Sequence, residues 1–160
     1  MSSPLVAIMM GSKTDMPIME EASNLLNEFG VSNELKVLSA HRTPKECAEY
    51  AETFRGKGGK IFICGAGVSA ALSGVVSAHT TLPVIGVPID ASPLSGMDAL
   101  LSTVQMPPGV PVGCVAIGKP GAKNAALLAV RILSLSNPDL EKKLVQFRED
   151  NRKKILESNS

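Results

Sequence analysis

Short apolar runs alternate along this chain with segments whose apolar positions recur every third or fourth residue. Residues 5–10 (LVAIMM) form the first run and stop at Gly11. A second strand is expected at 34–38, and further apolar runs stand at 60–64 (KIFIC), 83–87 (PVIGV) and 112–117 (VGCVAI). Such runs, bounded by turn residues, read as strands buried on both faces. Between them lie helical patterns. In the first, Asp15 stands near the N-cap, Pro17 falls in the first turn, Met19, Ala22, Leu25 and Leu26 share a face, and Gly30 closes the helix. Thr43-Pro44-Lys45-Glu46 spells a capping box with proline at the first helical position, predicting a helix to about Arg55. A small-residue segment, 65–74, leads into a helix that ends near His79. Ser95-Gly96-Met97-Asp98 opens another, carrying Met97, Leu100, Leu101 and Val104, and 122–133 forms an Ala/Leu-rich one. Asn137-Pro138 caps a last amphipathic helix, with Leu140, Leu144, Phe147 and Ile155 among many charges.

This alternation predicts a parallel sheet covered on both sides. With right-handed crossovers it becomes a three-layer, doubly wound α/β domain of the flavodoxin- or Rossmann-like kind. No internal repeat, low-complexity tract or linker interrupts it, so residues 1–160 are expected to form one catalytic domain. Its core would lie at about 4–135, with a C-terminal helix at about 137–157 that covers the sheet edge or meets another subunit.

Composition narrows the function classes. The chain is 44% hydrophobic and 19% charged, with 14 Gly and 11 Pro, which excludes a disordered segment and a fibre. Sixteen basic residues against fifteen acidic ones leave a net charge of +1, without the basic excess that phosphate neutralisation on nucleic acid requires. Aromatic residues are only 3%, with no Trp and with Tyr50 the sole Tyr, which argues against base-stacking platforms and against a flavin sandwich. The start has no basic n-region, and no apolar stretch is long enough to span a bilayer, so a soluble, cytoplasmic protein is expected. Cys47, Cys64 and Cys114 form no CxxC pair and read as reduced, mostly buried thiols. Two distant histidines and no carboxylate cluster give no metal site.

Ligands of open parallel sheets bind beyond the carboxyl ends of the strands. Three segments there carry candidate chemistry. Gly11-Ser12-Lys13-Thr14-Asp15 opens a helix after the first strand, where free N–H groups favour a phosphate, although a plain capping loop would look the same. In Ser39-Ala40-His41-Arg42-Thr43-Pro44, His41 offers an imidazole able to exchange a proton near neutral pH, and Arg42 a planar fork for phosphate or carboxylate. A surface His-Arg pair is the plainer reading. The third segment, Gly65-Ala66-Gly67 and the small residues up to Gly74, suits a backbone that lines a tight pocket or one that packs closely on the sheet. His79, at a helix end, reads as a surface residue. From the residues alone, a small phosphorylated ligand beside one histidine acid/base is the expectation, with the capping loop, the surface pair and close packing still open as the plainer readings.

Taken together, the motifs resemble the N5-carboxyaminoimidazole ribonucleotide mutase family, small enzymes of purine biosynthesis. The resemblance rests on MGSKTD at 10–15, SAHRTP at 39–44, GAG at 65–67, LPVIGVP at 82–88, LSGMDALLSTVQMP at 94–107 and PVGCVAIGKPGAKNAALLA at 111–129. It implies an intramolecular transfer of carboxylate from the exocyclic nitrogen of an aminoimidazole ribonucleotide to ring carbon C4, without metal or organic cofactor. His41 would be the proton-transfer residue. Ser12, Asp15 and Arg42 would hold the ribose and phosphate. Gly11, Ser39, Ala40, Gly65, Ala66, Gly67, Gln105, Met106 and Pro107 would shape a pocket that retains CO2. The family implies a homo-octamer as well.

The third loop departs from the family pattern. Most bacterial mutases carry GAGGAAHLPG, where this chain reads GAGVSAALSG, so Ala71 replaces a histidine and Ser73 a proline. That form is closer to the branch that carboxylates aminoimidazole ribonucleotide directly with CO2, while SAHRTP is of mutase type. The mutase reading is preferred on Arg42-Thr43-Pro44 and the 104–107 loop, with direct carboxylation as the alternative. A carboxylase of another heteroaromatic nucleotide, or a non-catalytic nucleotide- or flavin-binding module on the same fold, stays open.

Overall fold

The structure, a computed structural model, describes residues 3–159. Five strands, β1 (Val6–Met10), β2 (Asn33–Val37), β3 (Ile61–Gly67), β4 (Val84–Ile89) and β5 (Gly113–Cys114), form one sheet in the order β2-β1-β3-β4-β5. Every pairing is parallel, with Ile8 opposite Leu35 on one side and Ile63 on the other. This is the flavodoxin-like order, so of the two doubly wound types expected, the chain takes this one. Six helices, α1 (Met16–Phe29), α2 (Pro44–Phe54), α3 (Leu72–Ala78), α4 (Met97–Val104), α5 (Lys119–Ser134) and α6 (Pro138–Glu157), connect and cover the strands.

Alternation along the strands divides the core in two. Val6, Ile8 and Met10 of β1 point with Ile61, Ile63, Ile85 and Val87 to the face covered by α1, α5 and α6. Ala7 and Met9 point with Phe62 and Cys64 to the opposite face, where α2 brings Cys47, Ala51 and Phe54 and α3 brings Leu72 and Val76. All five residues of β1 are fully buried, which is why the strand reads as a continuous apolar run. Cys47 and Cys64 are buried free thiols, as expected, and Cys114 is half-buried.

Helix boundaries follow the local chemistry closely. Asp15 precedes α1, with proline in the first turn, and Gly30 ends the helix in the left-handed region (φ 75°). Asn137 Oδ1 accepts from the backbone N–H groups of Asp139 and Leu140 to cap α6. On its inner side α6 buries Leu140 and sets Phe147 against Phe29, ring centroids 5.6 Å apart, while Lys143 Nζ donates to the Phe29 carbonyl at 2.7 Å. The last helix therefore folds back onto α1 and α5 of its own chain.

Two expectations change. The strand expected at 112–117 pairs only through Gly113 and Cys114: the Val115 N–H closes that ladder on the Gly86 carbonyl (3.1 Å), and the next bond to β4, from the Gly118 N–H to the Pro88 carbonyl (2.8 Å), falls one residue out of register. The capping box at the start of α2 does not form: Thr43 makes no side-chain cap bond, and its hydroxyl instead donates to the Ser39 carbonyl (3.1 Å) and accepts from the Ser39 N–H (2.9 Å). The hydroxyl spends its one donor and one of its two acceptor lone pairs on Ser39, which holds it on the preceding loop.

Phe54 anchors the α2 face: it is fully buried, 4.9 Å from the Phe62 ring and 5.6 Å from Tyr50 by centroid. Phe54→Ala should lower the unfolding free energy by about 3–5 kcal/mol. Urea denaturation followed by circular dichroism measures it; a loss within error of zero would mean that this face repacks freely.

Candidate active site

The carboxyl end of β1 runs into α1 on one face of the sheet, and that of β3 runs into α3 on the other. A crevice opens between them, as the topology requires at such a switch point. It holds a cavity of about 460 Å3, lined by Gly11, Ser12, Thr14 and Asp15 after β1, by Ser39, Ala40, His41 and Arg42 after β2, by residues 66–69 with Ala71 and Leu72 after β3, and by Ala91 after β4. That size suits a small-molecule ligand.

The first wall is a tight turn. Ser12 Oγ accepts from the Thr14 backbone N–H (3.3 Å) and hydroxyl (2.9 Å), and a single 3-10 turn, Lys13–Asp15, passes the chain into α1. This brings Asp15 to the cavity floor with only 7% of its surface exposed. Desolvation holds its carboxyl above the ordinary carboxylate range, against the opposing pull of a Ser12 backbone hydrogen bond and the Arg42 charge. A carboxylate kept short of water here accepts hydrogen-bond donors from a ligand strongly.

The second wall is bound to the first. Arg42 Nη2 donates to the Gly11 carbonyl at 2.6 Å, and its Nε donates to Ser39 Oγ at 3.3 Å. Leu38 N–H reaches the Met10 carbonyl at 2.9 Å, extending the ladder by one bond. Arg42 thereby clamps the two loops while part of its five-donor fork stays unspent. His41 is exposed beside it, and no hydrogen bond to its ring exists among the described residues. A ligand would meet an imidazole that the protein has positioned by backbone alone.

The third wall is built from close approach. A Cβ on Gly67 would lie 2.6 Å from Ala91 Cβ and 3.0 Å from the Ile89 carbonyl, so the loops after β3 and β4 can touch only with glycine there. Val68 follows at φ 57°. For a β-branched residue this left-handed conformation costs on the order of 1–2 kcal/mol. Its side chain is 52% exposed, so burial in the core offers no compensation.

Of the residues expected at the site, Gly11, Ser12, Asp15, Ser39, Ala40, His41, Arg42, Ala66 and Gly67 meet around this cavity. Gly65 lies one step back in β3, with Met19 occupying the space its Cβ would take. Gln105, Met106 and Pro107 do not reach the cavity: Met106 lies 3.4 Å from where a Gly74 Cβ would stand, beside α3. Thr14, Val68, Ser69, Ala71, Leu72 and Ala91 line it without having been singled out as site residues. Ala91 could have been found by extending the strand-end rule to β4. His79 is at a surface, paired with Glu52 at 2.9 Å, as its position at a helix end suggested.

Comparison with known proteins bears on the family and the fold. The family model for AIR carboxylase matches residues 5–154. The chain is 54% identical over 147 residues to an N5-carboxyaminoimidazole ribonucleotide mutase of Pyrococcus abyssi, covering 92% of this chain and 83% of that one. It is 54% identical over 155 residues to the mutase of the same name from Bacillus subtilis, covering 97% and 96%. A crystal structure of Treponema denticola PurE superposes with a TM-score of 0.88 at 33% identity, covering 98% of this chain and 96% of that one.

Folding raises the Asp15 carboxyl above its unfolded value, so the native state holds this proton more tightly. The stability this gives is complete below the ordinary value of 3.8 and is lost as pH rises through the higher folded value. Asp15→Asn, which cannot ionise, should accordingly be more stable than the parent at pH 7, with the gain shrinking towards pH 3.8. Paired thermal melts across pH 3 to 8 (roughly the range over which carboxyl groups titrate) test the sign; a variant less stable at pH 7 would refute it.

Proposed function

The chain belongs to the AIR carboxylase family, and from that premise we propose that it is a mutase of purine biosynthesis, converting N5-carboxyaminoimidazole ribonucleotide to the 4-carboxy isomer. Relatives about half identical over nearly the whole chain bear the mutase name, which favours this reading over direct carboxylation with CO2. The observation that carries the chemistry is an imidazole without a hydrogen-bond partner among the described residues, on one cavity with a desolvated carboxylate and a guanidinium that has donors to spare.

In this reading Asp15 accepts the ribose hydroxyls, whose donors offset the cost of its desolvation. Arg42 and the backbone of the Gly11–Ser12 turn take the phosphate. That places the aminoimidazole ring towards His41. The protonated imidazole gives its proton to N5 as the carbamate N–C bond breaks, releasing CO2 and the enamine-like aminoimidazole. C4 then attacks CO2, and the now neutral His41 removes the C4 proton to restore the aromatic ring. One proton goes on and one comes off, so the residue ends as it began, as an isomerisation without net proton change requires. Ala66 and Gly67 wall the CO2 so that water does not intercept it. The reaction as written moves no electrons between redox states and uses no ATP.

The reading includes a cytoplasmic homo-octamer. Leu94, Met97, Leu101 and Val104 form an exposed apolar stripe along α4, and Asp98 Oδ1 is enclosed without a hydrogen-bond partner among the described residues. Contact between copies would cover the stripe. It would also bring Gln105, Met106 and Pro107, which stand away from their own chain's cavity, to a neighbour's. Light scattering should give roughly eight chain masses, the number the family resemblance implies, in a closed symmetric assembly; a monomer would remove this part of the reading.

The direct test supplies either the carbamate ribonucleotide or aminoimidazole ribonucleotide with bicarbonate and follows the 4-carboxy product. The carbamate should turn over far faster, and the reverse order would reassign the chain to direct carboxylation. His41→Asn should lower kcat by about 10^2–10^4-fold, the usual worth of a positioned acid/base, with binding retained. Arg42→Ala should raise KM by about tenfold or more, in keeping with a lost charge-assisted phosphate contact.

A further inference from the structure

Thr43 stands where a helix is capped and does not cap it. The residue precedes Pro44 at the start of α2, yet its side chain makes no cap bond. Its hydroxyl turns back and meets both backbone groups of Ser39, accepting from the N–H at 2.9 Å and donating to the carbonyl at 3.1 Å. The same carbonyl accepts the Thr43 N–H at 2.9 Å. These bonds close residues 39–43 on themselves, with His41 in the middle of the closed segment. A threonine in this place ordinarily serves the helix N-terminus, and local rules are set aside most often at functional sites.

The two side chains that the segment presents are held unequally. Arg42 has anchors of its own: Nη2 donates to the Gly11 carbonyl at 2.6 Å, and Ser39 Oγ accepts from its backbone N–H (3.2 Å) and its Nε (3.3 Å). His41 has no such anchor, because its ring makes no hydrogen bond among the described residues. The imidazole is placed through the backbone that the Thr43 bonds close. Thr43 itself lies outside the cavity lining, so it does not meet a ligand there. We propose that Thr43 is a positioning residue for the proton transfer: its hydroxyl clasps the Ser39 backbone and thereby fixes where the His41 ring stands. The inference rests on the mutase reading above and adds to it a residue that acts through His41. Satisfying both Ser39 groups takes a single atom that donates and accepts, which a hydroxyl supplies and a methyl does not. Proton transfer is sensitive to such placement, since donor and acceptor must come within hydrogen-bond reach, and a displacement of about 1 Å can cost about 100-fold in rate.

The test removes the hydroxyl and keeps the branched shape. Thr43 and Ser39 are half-buried, so water can take up the bonds that Thr43→Val leaves open and the fold persists. With the carbamate ribonucleotide as substrate, Thr43→Val should lower kcat at least about tenfold, a part of what a misplaced group can cost. KM should stay within about twofold, because the charge-assisted contacts of Arg42 keep their own anchors. Thr43→Ser retains the donor and the acceptor and should keep kcat within about threefold of the parent. A second readout is independent of turnover. His41 and His79 are the only histidines, so untagged protein carrying 13C at the imidazole Cε1 positions gives two ring signals, and His41→Asn assigns them by removing one. His79, paired with Glu52 at 2.9 Å beyond the end of α3, is the internal control. In Thr43→Val the His41 signal should shift while the His79 signal stays. An unchanged kcat, a loss confined to KM, a Thr43→Ser as slow as Thr43→Val, or a His41 signal that does not move would each overturn the proposal and leave the mutase reading intact. A parent enzyme that fails to convert the carbamate would sink the mutase reading, and the ring signals would still show whether Thr43 places His41.

Discussion

The central strand fixes where everything else can stand. Because β1 is buried on both faces and flanked by β2 and β3, the loops leaving these three strands must emerge side by side at the same end of the sheet. The first enters α1 on one face, while the second and third enter α2 and α3 on the other. The crevice between them is a consequence of topology, and it would exist with any side chains that filled the two cores. The side chains add the cross-tie from Arg42 to the Gly11 carbonyl at 2.6 Å, which turns two adjacent loops into one wall. An arginine can do this because its fork spends one or two donors on the protein and keeps the others in the same plane.

The electrostatics of the cavity follow from that wall. Asp15 is pressed into the floor by the tight turn that starts α1, and the cost appears as a carboxyl that holds its proton more strongly than usual. Isolation makes it a strong acceptor once a ligand displaces the remaining water. His41 is arranged in the opposite way: its loop is fixed through Ser39, Arg42 and Thr43, while the ring receives no hydrogen bond among the described residues. One group is constrained so that it binds, the other is left without a partner so that it can exchange a proton. Under the proposed chemistry these are the two requirements of a site that must hold a ribonucleotide still while a proton moves at the far end of it.

Much of this was legible in the residues. Strands buried on both faces announce themselves as apolar runs, and β1, β3 and β4 stand within a few residues of where the pattern puts them. Pro17 marks a helix start by its fixed φ, Gly30 a helix end by its backbone freedom and Asn137 a start by a local bond, and such signals do not need tertiary context, whereas Asp15 stands at the start of α1 without a side-chain cap bond. Where tertiary contacts compete with local ones, reading along the chain falls short. Thr43 has the neighbours of a capping residue and turns to Ser39 instead. β5 shrinks to Gly113–Cys114 because the next bond to β4, from the Gly118 N–H to the Pro88 carbonyl, falls one residue out of register. Gly65 and Gly67 look alike in the motif, yet one makes room for Met19 in the core and the other lets Ala91 approach the cavity. Only three-dimensional proximity separates those roles. Valine itself gives no signal of the φ 57° at Val68, which is legible only against the glycine that the GAGGAAHLPG pattern carries at that position.

The incomplete enclosure of the cavity has its own logic. Three walls come from one chain, and the side towards solvent stays open, while the 105–107 segment that would belong to the pocket on family grounds lies against α3 instead. An apolar stripe on α4 leads directly into that segment and finds no cover within its own chain. If copies meet along α4, burying the stripe and placing 105–107 over a neighbour's opening become a single event, and the site closes only in the assembled enzyme. Hydrophobic burial, which is non-directional, would then set the position of a loop whose own sequence carries no catalytic group. The chemistry proposed for His41 needs that economy, because a proton donor can face the ring from within one chain, but a gas that must not escape has to be enclosed from every side.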